Sequence, residues 1–149
     1  MKKGFCGIGI WYPSKETNIG TLFRTAYAMG VDFTFTIGRK YRRQASDTVN
    51  SILHLPYYHY DSYEHFMSNR PIGCRIVCVE IDSNSRKLGQ FIHPAQAIYL
   101  LGSESGGLPK DLLQNNLVVE IPSETCLNIA VAGSIVLYDM INKNEKIVA

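Results

Sequence analysis

The sequence predicts an α/β fold in which a mostly parallel sheet is flanked by helices. Apolar segments of strand length alternate with amphipathic segments of helix length along the chain, which is typical of parallel sheets. Residues 74–81 are mostly apolar and predict one continuous strand of the kind that is buried in a parallel sheet. Glycine- or proline-marked loops follow the apolar runs 98–101 and 117–121, which predicts a small-molecule pocket at these strand ends.

Length and composition favour a single domain covering residues 1–149. The chain has 149 residues and a hydrophobic content of 46%, enough to bury a core of its own. The sequence contains no run of about 18 apolar residues, so it predicts no membrane span. The N-terminal apolar segment is short and interrupted by glycines, which favours a first strand over a signal peptide. We therefore expect a cytoplasmic protein.

The N-terminal third predicts a strand, a helix and a second strand. Residues Phe5–Trp11 are apolar and form the first strand. A turn at 13–17 leads to a helix over 19–29, with Thr17 or Asn18 as its N-cap. The second strand covers 31–37, where apolar residues alternate with threonine and other polar residues.

The later elements follow from apolar runs and from the turn residues between them. The segment 82–90 is polar and predicts a surface connection. The other predicted elements are a helix at 45–53, a strand at 55–60, a helix from a cap at Asp61 to about Asn69, strands at 74–81, 98–101 and 117–121, a short helix between the last two strands, and a closing helix over 126–142.

Arg24 is the first candidate for ligand contact. It lies about 150° around its helix from the stripe that is predicted to be buried. Its side of the helix also carries Gly20, Thr21 and Ala28, small residues that would admit a ligand or a close-packed neighbour. An ordinary solvent-facing arginine satisfies the same spacing.

A basic cluster directly follows the second strand. It places four of the fifteen lysines and arginines within five residues, around one tyrosine. A loop of this kind can bind phosphates, and a solvated charged turn is an equal alternative. The cluster consists of Arg39, Lys40, Arg42 and Arg43.

Metal and disulfide chemistry are not expected. The four cysteines form no C-x-x-C pair, and the four histidines show no ligand spacing. We expect four buried, reduced thiols and no metal site.

The turn GSESGG at 102–107 fits none of the common glycine-rich motifs. It lacks the lysine of a P-loop, and Glu104 stands where a nucleophilic serine would be. Leu108 and Pro109 interrupt the helix that a dinucleotide-binding turn would open. A tight loop around one carboxylate remains, either structural or against a ligand.

Three segments together resemble the three motifs of the SpoU (TrmH) family of RNA methyltransferases, within the SPOUT superfamily. They are NIGTLFRT at 18–25, GSESG at 102–106, and Ile121-Pro122 followed by LNIAVA at 127–132. The resemblance extends over essentially the whole chain. It implies an α/β fold with a C-terminal trefoil knot, an S-adenosylmethionine cofactor, a homodimer, and methylation of ribose 2′-hydroxyls in tRNA or rRNA.

The resemblance also implies roles for individual residues. Arg24 would be the catalytic residue; because a guanidinium stays protonated, we expect it to hold a phosphate and stabilise alkoxide charge, while a phosphate oxygen or water takes the proton. Asn18 matches the same motif as Arg24 and is implied to belong to the catalytic residues. Glu104 and Asn128 would orient Arg24 or the backbone around it. The basic cluster would contact RNA. The residues implied to surround the cofactor are Glu80, Gly102, Ile121, Cys126 and Leu127.

The third segment departs from the family pattern. The family usually has serine before the Leu-Asn pair and often another after it, where this chain has Cys126 and Ala130. The loop 122–128 is also shorter than usual. These departures favour, as an alternative, a non-catalytic knotted module that binds S-adenosylmethionine or RNA. A third alternative is an unrelated α/β nucleotide-binding protein.

Overall fold

Within residues 4–148, the part of the chain that the computed structural model describes, seven strands form a parallel sheet. Side chains are described as far as residue 144. The order across the sheet is β3-β2-β1-β6-β4-β7-β5, and every neighbouring pair is parallel. The strands are β1 (Phe5–Trp11), β2 (Phe33–Ile37), β3 (Tyr57–Tyr60), β4 (Arg75–Val79), β5 (Arg86–Lys87), β6 (Gln96–Leu101) and β7 (Leu117–Glu120).

Two pairs of helices cover the two faces of the sheet. The first pair, α1 and α4, packs against a core that includes Ile8 and Ile10 of β1. The second pair, α2 and α3, packs against a core that includes Phe35 of β2 and Leu100 of β6. Both faces of the central strands are therefore buried, which explains their continuous apolar sequences. The helices are α1 (Glu16–Ala28), α2 (Tyr63–Asn69), α3 (Lys110–Asn115) and α4 (Ile129–Val148).

The strand order creates a crevice at one edge of the sheet. The strand β1 lies beside β6, which follows it in sequence by 85 residues from Trp11 to Gln96. Because all strands are parallel, the carboxyl ends of β1, β4, β6 and β7 meet at the same edge. The loops that follow these strands therefore converge, although they are distant in sequence.

The predicted α/β fold with a mostly parallel sheet is confirmed, but the helix expected at 45–53 is wrong. This segment is a loop that ends in a single 3₁₀ turn, Ser51–Leu53. The buried carboxylate of Asp47 accepts hydrogen bonds from the Tyr41 hydroxyl, at 2.9 Å, and from the Ser51 N–H, at 3.0 Å. Such side-chain bonds compete with the backbone bonds of a helix, and they hold the loop instead.

Several predicted boundaries and caps also differ. The helix α1 begins at Glu16, before Thr17 and Asn18, and its N-cap position is Lys15. The N-cap of α2 is Ser62, whose hydroxyl accepts the N–H of His65. The predicted cap at Asp61 is therefore displaced by one residue.

Two further corrections concern the second half of the chain. The polar segment 82–90 is more than a surface connection, because it contains the edge strand β5. The closing helix α4 begins at Ile129 rather than at residue 126. Residues 126–128 form part of the loop instead, and the trefoil knot implied by the resemblance stays a prediction.

Candidate functional site

A cavity of about 520 Å³ opens at the carboxyl ends of β4, β6 and β7. Ligand pockets in proteins usually have volumes of about 300–1,000 Å³, so the size suits a small molecule. The five residues predicted to surround a cofactor all line this cavity, and what they bind stays a prediction. They are Glu80, Gly102, Ile121, Cys126 and Leu127.

The glycine-rich loop after β6 forms one wall and folds back tightly on itself. The Gly107 N–H donates to the Ser103 carbonyl at 3.1 Å. A Cβ atom at Gly102 would lie 2.6 Å from the carbonyl carbon of Gly107, so only glycine allows this approach. Gly107 has a φ of +62°, and a Cβ there would lie 2.5 Å from Oε2 of Glu80. That same oxygen accepts the N–H of Leu108 at 3.2 Å and joins the loop to β4.

The loop after β7 forms the opposite wall. The Ser123 hydroxyl donates to the Thr125 carbonyl at 2.8 Å, which turns the chain back toward the cavity. Leu127 remains 37% exposed there, and Cys126 is also exposed. The expectation of four buried cysteines is therefore wrong for Cys126, while the other three are buried.

The two departures from the family pattern lie in different environments. Ala130 is 1% exposed and packs in the core between the sheet and the helices α1 and α4. Cys126 lines the cavity. The side chain at position 130 is therefore part of the core, whereas the thiol at position 126 would contact a ligand in the cavity.

Glu104 joins the glycine-rich loop to the start of α1. Its carboxylate accepts four hydrogen bonds: from the Ser14 N–H at 2.9 Å, the Ser14 hydroxyl at 2.8 Å, the Lys15 N–H at 3.4 Å and the Asn18 amide at 3.1 Å. Partial burial raises the pKa of Glu104, but the hydrogen bonds from Ser14 and Asn18 outweigh burial and lower the pKa to about 2. The group is thus a carboxylate at any physiological pH.

Asn128 extends this connection to α4. Its amide donates to Oδ1 of Asn18 at 2.9 Å, and its own Oδ1 accepts the N–H groups of Ala130 and Val131 at 2.8 and 3.2 Å. Asn128 therefore caps α4 and holds Asn18 in the orientation that donates to Glu104. We call Asn18, Glu104 and Asn128 the polar link; each comes from a different one of the three sequence segments.

Arg24 lies apart from the polar link. Its side chain is exposed and makes no hydrogen bond or ion pair with any described residue. Glu104 instead binds the backbone of Ser14 and Lys15, just before the helix that carries Arg24. Gly20, one helical turn before Arg24, is buried beneath Ser46 of the following loop, so this small residue admits a close-packed neighbour.

One of the four cations in the basic cluster is bound by other residues of the protein, and the other three are not bound by described residues. Arg39 donates to the Ser14 carbonyl at 2.8 Å and to the Glu16 carboxylate at 2.7 Å, so it braces the start of α1. The side chains of Lys40, Arg42 and Arg43 are exposed and form no hydrogen bond or ion pair within the described part of the chain. The tyrosine between them, Tyr41, is buried and anchors the loop.

Sequence reasoning missed four polar residues at this edge of the sheet. Ser14 and Lys15 hold Glu104, while Asp82 and Lys110 line the cavity and bring charges of both signs to it. Their common signal is position, because Ser14 and Asp82 follow strand ends and Lys110 begins a helix directly after the glycine-rich loop. Among described residues, no group of three or more metal-binding side chains is assembled.

Residues 8–138 match the SpoU rRNA Methylase family. The chain belongs to the SpoU family. A curated relative, the mouse tRNA (guanosine(18)-2′-O)-methyltransferase TARBP1, is 32% identical over 71 residues, which cover 45% of this chain and 4% of that protein. The chain thus spans a small part of the length of this relative.

Solved structures agree with family membership at the level of the fold. An AdoMet-bound rRNA methyltransferase from Sinorhizobium meliloti superposes with a TM-score of 0.82 and 23% identity, over 95% of this chain and 57% of that one. A structure described in terms of the 2-OH methylation of C/U34 on tRNA superposes with a TM-score of 0.81 and 23% identity, over 96% and 98% of the two chains. In the described part of this SpoU chain, no helix is long and apolar enough to cross a membrane.

Proposed function

We propose that this chain transfers a methyl group from S-adenosylmethionine to a ribose 2′-hydroxyl of RNA, with tRNA as the first substrate class and rRNA as the second. The observation that carries the proposal is the polar link at the edge of the cavity. Its hydrogen bonds join all three segments that resemble SpoU motifs, although these segments are far apart in the sequence. We also propose that the protein acts in the cytoplasm.

The lining of the cavity suits S-adenosylmethionine. Ile121 and Leu127 offer apolar contact for an adenine ring, and the glycine-rich loop offers backbone groups at close range. Acidic Asp82 and basic Lys110 complement the ammonium and carboxylate of an amino acid. When bound there, the cofactor supplies a methyl group activated by the sulfonium.

Arg24 is the residue that we propose to act on the RNA. Its guanidinium is exposed and is not bound by any described residue. It would hold a phosphate next to the target ribose, align the 2′-hydroxyl and stabilise the alkoxide charge that develops there. The hydroxyl proton would pass to a phosphate oxygen or to water.

We further propose that the protein is a homodimer that pairs through the helices α1 and α4. Val131, Ile135 and Tyr138 are 47%, 36% and 63% exposed, and their spacing places them on one stripe of α4. Tyr27 of α1 is 40% exposed on the helix that packs against α4. A partner on this face would cover apolar surface and bring a second subunit close to Arg24.

We assign RNA contact to Lys40, Arg42 and Arg43, the three exposed cations of the basic cluster that no described residue binds. Replacing Arg42 and Arg43 together by glutamine should weaken RNA binding and reduce the slope of log K against log salt by about 1–2, because two phosphate contacts are lost. The matched control replaces Arg70 and Arg75, which lie at the opposite edge of the sheet. An unchanged slope in the first variant would contradict this assignment.

Methyl transfer from labelled S-adenosylmethionine to total tRNA and to rRNA tests the proposed function. We expect transfer by the wild-type protein, and none by Arg24→Ala, with calorimetry showing equal cofactor binding by both proteins. Equal turnover by the variant would refute the role of Arg24. Cofactor binding without transfer to either RNA would favour the alternative, a non-catalytic module, for which the cavity residue Cys126 is the supporting observation.

A further inference from the structure

Tyr12, which directly follows β1, has a backbone conformation that is unusual for a tyrosine. Its φ is 43°, and among the described residues Asn50 is the other non-glycine residue with a positive φ. Asparagine tolerates this region, whereas a bulky residue there is strained. Strained residues cluster at functional sites because the surrounding structure has to hold them in place.

The surrounding structure holds the Tyr12 ring in one position. The Tyr12 N–H donates to the Ile37 carbonyl at 2.7 Å, which fixes the backbone against the end of β2. The ring covers Gly38, where an added Cβ would lie 2.3 Å from ring carbon Cδ1. The Trp11 ring packs against it edge to face, with centroids 4.9 Å apart. Even so, Tyr12 is 45% exposed, so part of the ring is open to solvent.

The ring lies between the two regions that the proposed function assigns to the substrate. On one side, Gly38 is followed directly by the basic cluster that begins at Arg39. On the other side, Tyr12 is two residues before Ser14, which binds Glu104 at the edge of the cavity. Arg39 and Ser14 also bind each other, so the position of the ring relative to both regions is fixed.

We propose that the exposed part of the Tyr12 ring stacks on an unpaired base of the bound RNA. The inference rests on the proposed function, since it takes RNA to be the ligand of this edge. Single-stranded nucleic acid is typically held by cations that contact phosphates and by aromatic rings that stack on bases, and this surface offers both within a few residues. Glycine would adopt the conformation at position 12 without strain, so the contribution of tyrosine comes from its ring.

Three variants separate the ring from the backbone. Tyr12→Phe retains the ring, and Tyr12→Gly removes the ring while relieving the strained φ. Tyr58→Ala is the control, because Tyr58 is also exposed, at 50%, but lies near the start of β3, at the other end of the sheet. Thermal unfolding of each variant establishes that it is folded.

The experiment measures binding of a short, labelled single-stranded RNA of mixed sequence by anisotropy. We expect Tyr12→Gly to bind the RNA about tenfold more weakly, because stacking on one base contributes about a factor of ten to affinity. Tyr12→Phe and Tyr58→Ala should bind within about twofold of wild type. Trp11 is the one tryptophan of the chain, so its emission should change on RNA binding in the wild-type and Tyr12→Phe proteins. Equal affinity of Tyr12→Gly and wild type, or an equal loss in Tyr12→Phe, would overturn the proposal.

Methyl transfer is measured separately, so that the two proposals can fail independently. Under saturating S-adenosylmethionine, Tyr12→Gly should raise the KM for RNA about tenfold, with cofactor affinity unchanged. RNA binding that depends on Tyr12 without any methyl transfer would support stacking and refute the proposed reaction. Methyl transfer with an unchanged KM in Tyr12→Gly would support the reaction and refute stacking. No binding of the single-stranded RNA by the wild type would refute stacking, whereas no methyl transfer to tRNA or rRNA would refute the proposed reaction.

Discussion

Replacing Glu104 by glutamine should lower the free energy of unfolding at pH 7 by about 1–2 kcal/mol. The carboxylate accepts four hydrogen bonds, two at each oxygen: three from Ser14 and Lys15, just before α1, and one from Asn18 in its first turn. A glutamine amide offers one oxygen, so two of the donors would face an NH₂ group. Asn18 cannot turn over to compensate without losing its bond from Asn128.

The pKa of Glu104 gives an upper limit for this effect. The pKa is lowered from its ordinary value of 4.5 to about 2 in the folded protein. A shift of this size would correspond to about 3 kcal/mol if it were fully expressed. Because the side chain is only partly buried, solvent screens the interaction, and we expect about half of that limit.

The lowered pKa of Glu104 also determines how the stability of the protein depends on pH. A carboxyl group whose pKa is lower in the folded than in the unfolded chain stabilises the protein when pH is above the unfolded value. This contribution is complete above a pH of 4.5 and is lost as pH falls toward about 2. The difference between wild type and Glu104→Gln should therefore be constant from neutral pH to about pH 5 and shrink in stronger acid.

Urea unfolding at a series of pH values between 7 and 3 provides the measurement. The control is Glu124→Gln, which removes the same charge from an exposed side chain that binds no described residue. We expect this control to differ from wild type by less than about 0.5 kcal/mol at every pH. A Glu104→Gln variant as stable as wild type at pH 7, or a difference that persists undiminished at pH 3, would refute the reasoning.

Substitutions at three further positions, two of them with a matched second variant, test other contacts. Gly107→Ala should lower stability by about 2 kcal/mol and weaken S-adenosylmethionine binding measured by calorimetry, because its φ is +62° and its Cβ would clash with Glu80. Gly106→Ala, where the nearest contact would be 3.6 Å, should leave stability unchanged. Asp47→Asn should lower the free energy of unfolding in urea by about 2 kcal/mol, because a buried acceptor of several hydrogen bonds is weakened. Asn128→Ala should cost about 1–2 kcal/mol in the same assay, and Asn128→Asp should recover the part due to capping of α4.

Local sequence patterns were sufficient for most of the helices and for the strands other than the two-residue edge strand β5. Hydrophobic runs and their spacing depend on neighbouring residues, so the prediction of β1 and of the buried run at 74–81 needed no knowledge of the rest of the chain. The prediction of a helix at 45–53 is wrong because the structure of this segment depends on a residue outside it. Its outcome depends on the buried carboxylate of Asp47 and its bond to Tyr41, which is outside the predicted helix.

In the candidate site, too, local patterns predicted some features, and contacts between distant residues decided the others. The residues predicted to line a pocket do line one cavity, because each follows or ends a recognisable strand or lies in a recognisable turn. The sequence did not identify the partners of Glu104, which are Ser14, Lys15 and Asn18, and its role in orienting Arg24 or the backbone around it stays a prediction. The strained backbone of Tyr12 left no mark in the sequence, because dihedral angles are set by surrounding contacts.

The sequence by itself therefore determined the α/β class, the three segments of the site and their resemblance to one family. Only the tertiary structure decided how these segments meet. Asn18 bonds to Glu104 across 86 residues and to Asn128 across 110 residues of sequence. These contacts exist because β1 lies beside β6 in the sheet. Strand order arises from packing among distant segments, and no local periodicity encodes it.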